Sequence, residues 1–339
     1  MLYPTELRAL TDRRQLCAQG AGRQRELAIG PGRAFFSGGG KARGIAGFFG
    51  HGISPDGRKE LSAERLSSFH SSHSVSSMAF LDFHFFSETL GLTCAAHVLI
   101  PQPTLRQIGS VGGARREKYP TLYLLHGLSD DHTIWMRRTS IERYAAERNL
   151  AVVMPAVGRS FYQDTAGGAK YWTFVSEELP ALCEQFFPLA TAREQRFAAG
   201  LSMGGYGALR LGLAYPERFA AAASLSGALD LARRLREAGR EGALMNRAEY
   251  TGIFGPELRG AGTAADLFFL AEKLAASPAP RPALYVACGT EDALLGESRA
   301  FHAHLDQLQI DATYRESPGA HDWRCWDEEI QRVLAWLPV

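Results

Sequence analysis

From residue 78 onward the chain alternates between short apolar runs and longer stretches whose apolar positions recur every three or four residues. Short apolar runs bounded by turn formers suit strands buried on both faces, and the intervening period is that of amphipathic helices. The strands read this way are 121–125, 151–154, 196–199, 220–224 and 284–288, with 313–316 as the last. Ahead of them, Leu81, Phe83 and Phe85 alternate within 80–87, and Cys94, Ala96, Val98 and Ile100 within 92–100. That period of two predicts an antiparallel pair at the front of the sheet. Helices are predicted over 140–148, 173–187, 204–215, 298–308 and 322–337. In the last, Trp323, Trp326, Ile330, Val333, Leu334 and Leu337 form one apolar stripe that must pack on the sheet. The pattern is that of an α/β protein: a mostly parallel central sheet with helices on both faces and an antiparallel N-terminal strand pair.

Two segments break the rhythm. Residues 1–77 are rich in Arg, contain Gly38-Gly39-Gly40, close in a Ser/His run over 67–77 and show no sustained period. Such a low-complexity stretch buries too little apolar surface to order itself, so a disordered N-terminal extension is expected, with Met78 opening the folded unit. An organelle transit peptide and a wrongly assigned start are the alternatives; Asp12, Glu26, Asp56, Glu60 and Glu64 weaken the first. Residues 227–282 hold no clear strand and are expected to form a cap-like insertion in the 78–339 domain, lying over the carboxyl ends of the strands and shaping a pocket. Arg233, Arg234 and Arg236 within it read as a solvated helix face.

Composition narrows the classes of partner. With 37 Lys and Arg against 36 Asp and Glu, the formal net charge is +1, and no global field favours nucleic acid or anionic lipid. Five cysteines (Cys17, Cys94, Cys183, Cys288, Cys325) form no C-x-x-C pair, which argues against a zinc knuckle or a disulfide framework. No run approaches the roughly 18 apolar residues of a membrane span, and residues 1–30 lack the apolar centre of a secretory signal. A cytoplasmic protein that acts on a small molecule, without cofactor or metal, is the expectation.

Gly200-Leu201-Ser202-Met203-Gly204 supplies the chemistry. It is a G-x-S-x-G sequence placed between a predicted strand and a predicted helix, the context a nucleophile elbow demands. The turn is so sharp that side chains at 200 and 204 would collide, hence glycine at both. A serine hydroxyl needs a base within hydrogen-bond reach and a third group to orient that base. In α/β-hydrolases these follow in the order acid, then histidine, each past the end of a strand. Asp292, after strand 284–288, takes the acid role, with Glu291 as its nearest rival; Asp266, Asp306 and Asp311 lack the strand-end position. His321, in the loop after 313–316, is the base. His302 and His304 stand two apart in a helical pattern and share no face, so they form no metal pair. The negative charge on the reacting carbonyl oxygen needs two backbone N–H donors: Met203, directly after the serine, and Leu128, from the His126-Gly127-Leu128 loop after strand 121–125. His126 itself reads as a structural residue, a proton carrier being the alternative. Trp135, Tyr162 and Trp172 are candidates for the pocket wall, with burial in the core as the alternative.

With these residues in hand the chain resembles the esterase-D-like branch of the α/β-hydrolases, which includes tributyrin esterases, S-formylglutathione hydrolases and mycolyltransferases. The likeness rests on Tyr123-Leu124-Leu125-His126-Gly127-Leu128, Gly200 to Ala208, Cys288-Gly289-Thr290-Glu291-Asp292 and Gly319-Ala320-His321-Asp322-Trp323. It covers Met78 to Val339. Asp131 to Trp135 and Tyr162 to Thr165 are most similar to the tributyrin type. The resemblance implies the α/β-hydrolase fold and a serine carboxylesterase acting on short acyl esters through an acyl-enzyme, with Ser202, Asp292 and His321 as triad and Leu128 and Met203 as oxyanion donors. It leaves the oligomeric state open, a homo-oligomer being what the family implies. Thioester hydrolysis of S-formylglutathione is the alternative, although Ser129 and Asp130 stand where those enzymes often carry a cysteine. Acyl transfer to a sugar or lipid and a non-catalytic binding role on the same fold are the remaining readings.

Overall fold

Antiparallel pairing opens the sheet. In the computed structural model, which describes residues 77–104, 106–108, 115–240 and 244–339, β1 (Ser77–Ser87) and β2 (Leu92–Gln102) pair over their whole length. The N-terminal extension expected over 1–77 lies, but for Ser77, outside the described residues. Strands β3 (Thr121–Leu125), β4 (Ala151–Pro155), β5 (Arg196–Leu201), β6 (Ala221–Leu225), β7 (Ala283–Gly289) and β8 (Ala312–Ser317) complete an eight-stranded sheet in the order β1-β2-β4-β3-β5-β6-β7-β8. β2 meets β4 antiparallel, and β3 to β8 run parallel. The strand order reverses at β3, which lies between β4 and β5. Loops leaving β3 and β5 therefore diverge, and the crevice between them at the carboxyl end of the sheet is where ligands bind in such folds.

The all-apolar runs behave as their composition requires. Every residue of β3, β4, β5 and β6 is buried, and successive side chains serve opposite layers. Tyr123 and Leu125 join one core cluster, whereas Leu122 and Leu124 join the other. Helices α1 (Ile134–Arg138) and α2 (Ile141–Glu147) cover the second layer together with the long C-terminal helix, which carries the predicted Trp326, Ile330, Val333 and Leu334 stripe. Helices α3 (Leu179–Phe186) and α4 (Met203–Ala214) cover the first. Pro180 lacks an N–H to donate near the start of α3, and the helix expected over 173–187 opens with a single turn at Tyr171–Thr173 and passes through a π turn at Phe174–Glu178 before reaching it. The Glu178 carboxylate at that turn accepts from the Glu88 N–H at 2.7 Å and so holds the β1–β2 connection.

Among the described residues of 227–282 the chain forms three helices that the sequence reading did not resolve: α5 (Leu231–Arg236), α6 (Arg247–Phe254) and α7 (Leu267–Ala275). Each is too short for its period to stand out. Their caps are legible afterwards, since Asp230, Asn246 and Asp266 each accept a first-turn N–H, and Asn246 with Glu249 makes a full capping box. Helix α8 (Leu295–Gln307) then links β7 to β8, and α9 (Trp323–Trp336) closes the chain. Observed strand and helix ends differ from the predicted ones mostly by one to three residues, as helix and strand termini usually do. Among the described residues no helix is long and apolar enough to cross a membrane.

Close packing of α4 on the strand ends sets a test. A methyl group at Gly204 would sit 2.7 Å from the His126 carbonyl oxygen, with backbone rather than a flexible side chain in its way. Gly204→Ala is expected to lower unfolding free energy by about 1–3 kcal/mol, seen as a reduced urea midpoint at unchanged slope.

Candidate active site

β5 runs straight into α4 with only Ser202 between them, and the turn is bought with backbone strain: Ser202 has φ 53° and ψ −117°. Such a conformation costs roughly 1–3 kcal/mol and persists only where its surroundings enforce it. Here they do. The Ser202 N–H donates to the Leu225 carbonyl of β6 at 2.9 Å, and its carbonyl accepts from Tyr206 and Ala228, each at 3.1 Å. Gly200 is equally required, because a Cβ there would meet the Leu125 oxygen at 2.9 Å and press still closer on Gly204.

Two further loops converge on that serine from β7 and β8, beyond β6 in the sheet. After β7, Asp292 turns inward; after β8, His321 does. The loops are tied to each other, with Thr290 N–H donating to Ser317 at 2.9 Å, Glu291 N–H to Gly319 at 3.0 Å, and Gly319 N–H to the Glu291 carboxylate. Glu291, the rival acid, thus splints the two loops and faces solvent. His321 Nε2 lies 3.0 Å from Ser202 Oγ and its Nδ1 lies 2.8 Å from Asp292 Oδ2. Asp292 Oδ1 accepts from the Leu294 N–H at 2.8 Å. Burial raises the Asp292 carboxyl, but the hydrogen bonds from His321 and Leu294 outweigh it and hold the group below its ordinary value. It is therefore ionised at neutral pH, accepts the Nδ1–H, and leaves the Nε2 lone pair facing the serine.

A cavity of about 310 Å³ opens beside Ser202. Leu128 and Met203 both line it, with Phe161, Ala228, Met245 and Leu294 making much of the apolar wall. As the first residue of α4, Met203 has an N–H without an acceptor in the preceding turn. Ala228, Arg234, Leu244, Met245 and Tyr250 come from the 227–282 segment. Sequence reasoning marked that segment as pocket-forming but had no means of choosing among its residues. Arg234 is not the solvated residue expected. Its guanidinium grips the Glu297 carboxylate in two places, at 2.7 and 3.3 Å, and Glu297 is only 5% exposed.

None of the three aromatic pocket candidates lines this cavity. Trp135 is 1% exposed, donates its indole N–H to the Leu125 carbonyl at 3.1 Å, and begins an edge-to-face series through Trp323 and Trp326 that ends on His321, with the last two rings 4.8 Å apart. Tyr162 is fully buried, its hydroxyl donating to the His126 carbonyl at 2.9 Å. Trp172 lies under the Arg210 guanidinium at 3.7 Å and borders a different hollow. Their size and polar tips suited them to buttress the loops rather than to face substrate.

His126 takes the structural role read for it. The Val157 N–H donates to Nε2 at 3.0 Å, which leaves Nδ1–H to donate to the Gly127 carbonyl at 2.7 Å. Burial pushes its pKa down to about 4. The four cysteines within the described residues are free and buried.

An eight-stranded, mostly parallel sheet with helices on both faces and a strained serine after β5 is the α/β-hydrolase fold. The sequence model of the family described as "Putative esterase" matches residues 106–337, and the chain belongs to that family. It is 32% identical over 265 residues to an acetyl esterase of Caldicellulosiruptor saccharolyticus, an alignment covering 77% of this chain and 98% of that protein. Among solved structures, the fluorophosphonate-binding serine hydrolase F of Staphylococcus aureus shares 33% identity at a TM-score of 0.68, over 77% of this chain and 98% of its own. The S-formylglutathione hydrolase of the same organism shares 33% at 0.67, over 77% and 99%. The chain is an ester hydrolase of this family.

The His126 environment makes stability depend on pH. A buried base with a folded pKa of about 4, against 6.5 when unfolded, binds its proton later than the unfolded chain does as pH falls. Its contribution is complete above pH 6.5 and is lost as pH drops towards 4, to the extent of on the order of 3 kcal/mol. His126→Gln is expected to flatten the decline of unfolding free energy measured in urea between pH 7 and pH 4.5; an unaltered slope would place the titrating group elsewhere.

Proposed function

We propose that the chain is a serine carboxylesterase of short acyl esters, and the observation that carries this reading is the hydrogen-bonded series Ser202 Oγ, His321 Nε2, His321 Nδ1, Asp292 Oδ2. Ser202 Oγ attacks the ester carbonyl while Nε2 of His321 takes its proton. Asp292 fixes the tautomer and stabilises the imidazolium. The carbonyl oxygen, now negative, is held by the N–H groups of Leu128 and Met203. His321 returns the proton to the leaving alcohol, and the acyl group remains on Ser202. Water, deprotonated by the same nitrogen, then releases the acid.

The preference for short, uncharged acyl esters rests on the cavity. Its volume of about 310 Å³ is at the lower end for ligand sites, and its walls are mainly apolar. Arg234, the one Arg or Lys lining it among the described residues, already has Glu297 as its partner and offers little to the carboxylates of a glutathione thioester. The solved S-formylglutathione hydrolase relative keeps thioester cleavage as the second reading, since the same three residues serve either bond.

Ser202→Ala is expected to reduce kcat for p-nitrophenyl acetate by about 10⁴-fold or more, with little change in thermal midpoint. Activity near wild type would remove Ser202 from the reaction. Across acetyl, butyryl, hexanoyl and octanoyl esters, kcat/KM is expected to fall at least roughly tenfold beyond the length the cavity accepts, and S-formylglutathione to be the poorer substrate. A higher kcat/KM for the thioester would reverse the preference while leaving the triad intact.

A further inference from the structure

Away from the serine, a second group of reactive side chains gathers on the edge strands. Asp82 of β1 stands directly opposite His97 of β2, and His84 follows on the same face. His132, in the loop between β3 and α1, faces them. A single oxygen, Asp82 Oδ1, has Nε2 of His84 at 3.3 Å, of His97 at 3.7 Å and of His132 at 3.9 Å. The His97 and His132 rings meet edge to face at 4.7 Å. His97 is 8% exposed, and the side chain of His132 is 16% exposed. Among the described residues, Nδ1 of each is buried without a hydrogen-bond partner, while each Nε2 stands too far from Asp82 to make one. Buried imidazoles normally make hydrogen bonds, so two of them turned on one carboxylate without bonding to it require an explanation.

We propose that Asp82, His97 and His132 form a binding site for a divalent transition-metal cation of the zinc type. One ligand atom from each lies within 4.8 Å of the other two. Zinc binds imidazole and carboxylate at about 2.0–2.2 Å, which puts tetrahedral donors roughly 3.4 Å apart. Bringing the observed 3.7 and 3.9 Å to that spacing takes up to about half an ångström of rotation on the exposed Asp82, and the two imidazole donors, within 4.8 Å of each other, close by rotation of their own side chains. A mixed nitrogen and oxygen set suits zinc, nickel or copper; calcium and magnesium favour oxygen alone. The exposed His84 stands beside Asp82, its Nε2 3.3 Å from Oδ1. The site is structural: none of these residues lines the cavity at Ser202, and a bound cation cross-links the β1–β2 edge to the loop that also carries Leu128.

Zinc chloride is the probe. The full chain is stripped with chelator, dialysed against zinc at neutral pH, and its metal content and thermal midpoint are measured beside Asp82→Asn, His132→Gln and His302→Gln. Since His51, His70 and His73 also carry imidazoles, the deciding quantity is the difference between variants. Wild type and His302→Gln are expected to hold one zinc more per chain than Asp82→Asn and His132→Gln, whose affinity falls at least roughly tenfold. At zinc about 100-fold above Kd, the wild-type midpoint should rise by roughly 5 °C, and those of the two variants should not. Circular dichroism of the metal-free variants verifies that they fold. Equal zinc uptake by wild type and both variants, or no stoichiometric uptake by wild type, overturns the proposal.

Discussion

The backbone contact between the first turn of α4 and the ends of β3 and β5 is the constraint on which the site depends. Gly200, Gly204 and Gly205 permit that approach, and Ser202 is held at φ 53° between strand and helix. Hydrogen bonds from both sides of the turn then hold it, from Leu225 on β6 and from Ala228 beyond it. Strain at one residue is thereby supported by three strands and a helix. The hydroxyl needs no adjustment of its own backbone to meet the imidazole, which is the sense in which a site is preorganised.

The imidazole is held differently. Both its nitrogens face the reaction axis, one on Asp292 and one on Ser202, so no other hydrogen bond fixes the ring. Orientation about that axis comes from the edge-to-face contact with Trp326, itself seated against Trp323 and, through it, Trp135. Trp135 also bonds the end of β3, just ahead of the loop that carries Leu128. One aromatic series therefore connects the histidine loop to the opposite wall of the crevice. The Glu291 to Gly319 contact supplies the remaining restraint, between the loops after β7 and β8.

How much of this was legible in the sequence follows from how local each signal is. Strands β3 to β7 show as apolar runs because both faces of the sheet are covered, and β1 and β2 show as alternation. The serine turn carries its own glycines, and the acid and the histidine stand past strand ends in an order the fold imposes. The pocket wall carries no such mark. Whether Trp135 or Phe161 faces the cavity depends on which way a loop turns, and Phe161 does so with a φ of 53° that no local pattern announces. Likewise α5, α6 and α7 are short, and their packing against the core depends on contacts distant in sequence rather than on period. Arg234 was read as solvated because its partner, Glu297, lies 63 residues away.

That pairing bears on how a catalytic cycle ends. On the proposed reaction, hydrolysis turns a neutral ester into an anion, and a cavity that suits the first is a poor host for the second. The Arg234 charge is already balanced by Glu297, and the ionised Asp292 lies behind the imidazole. A newly formed carboxylate meets mostly hydrocarbon on the walls and a like charge at the back, while water at the mouth solvates it. On that proposal, the same distribution of charge favours departure of the acid.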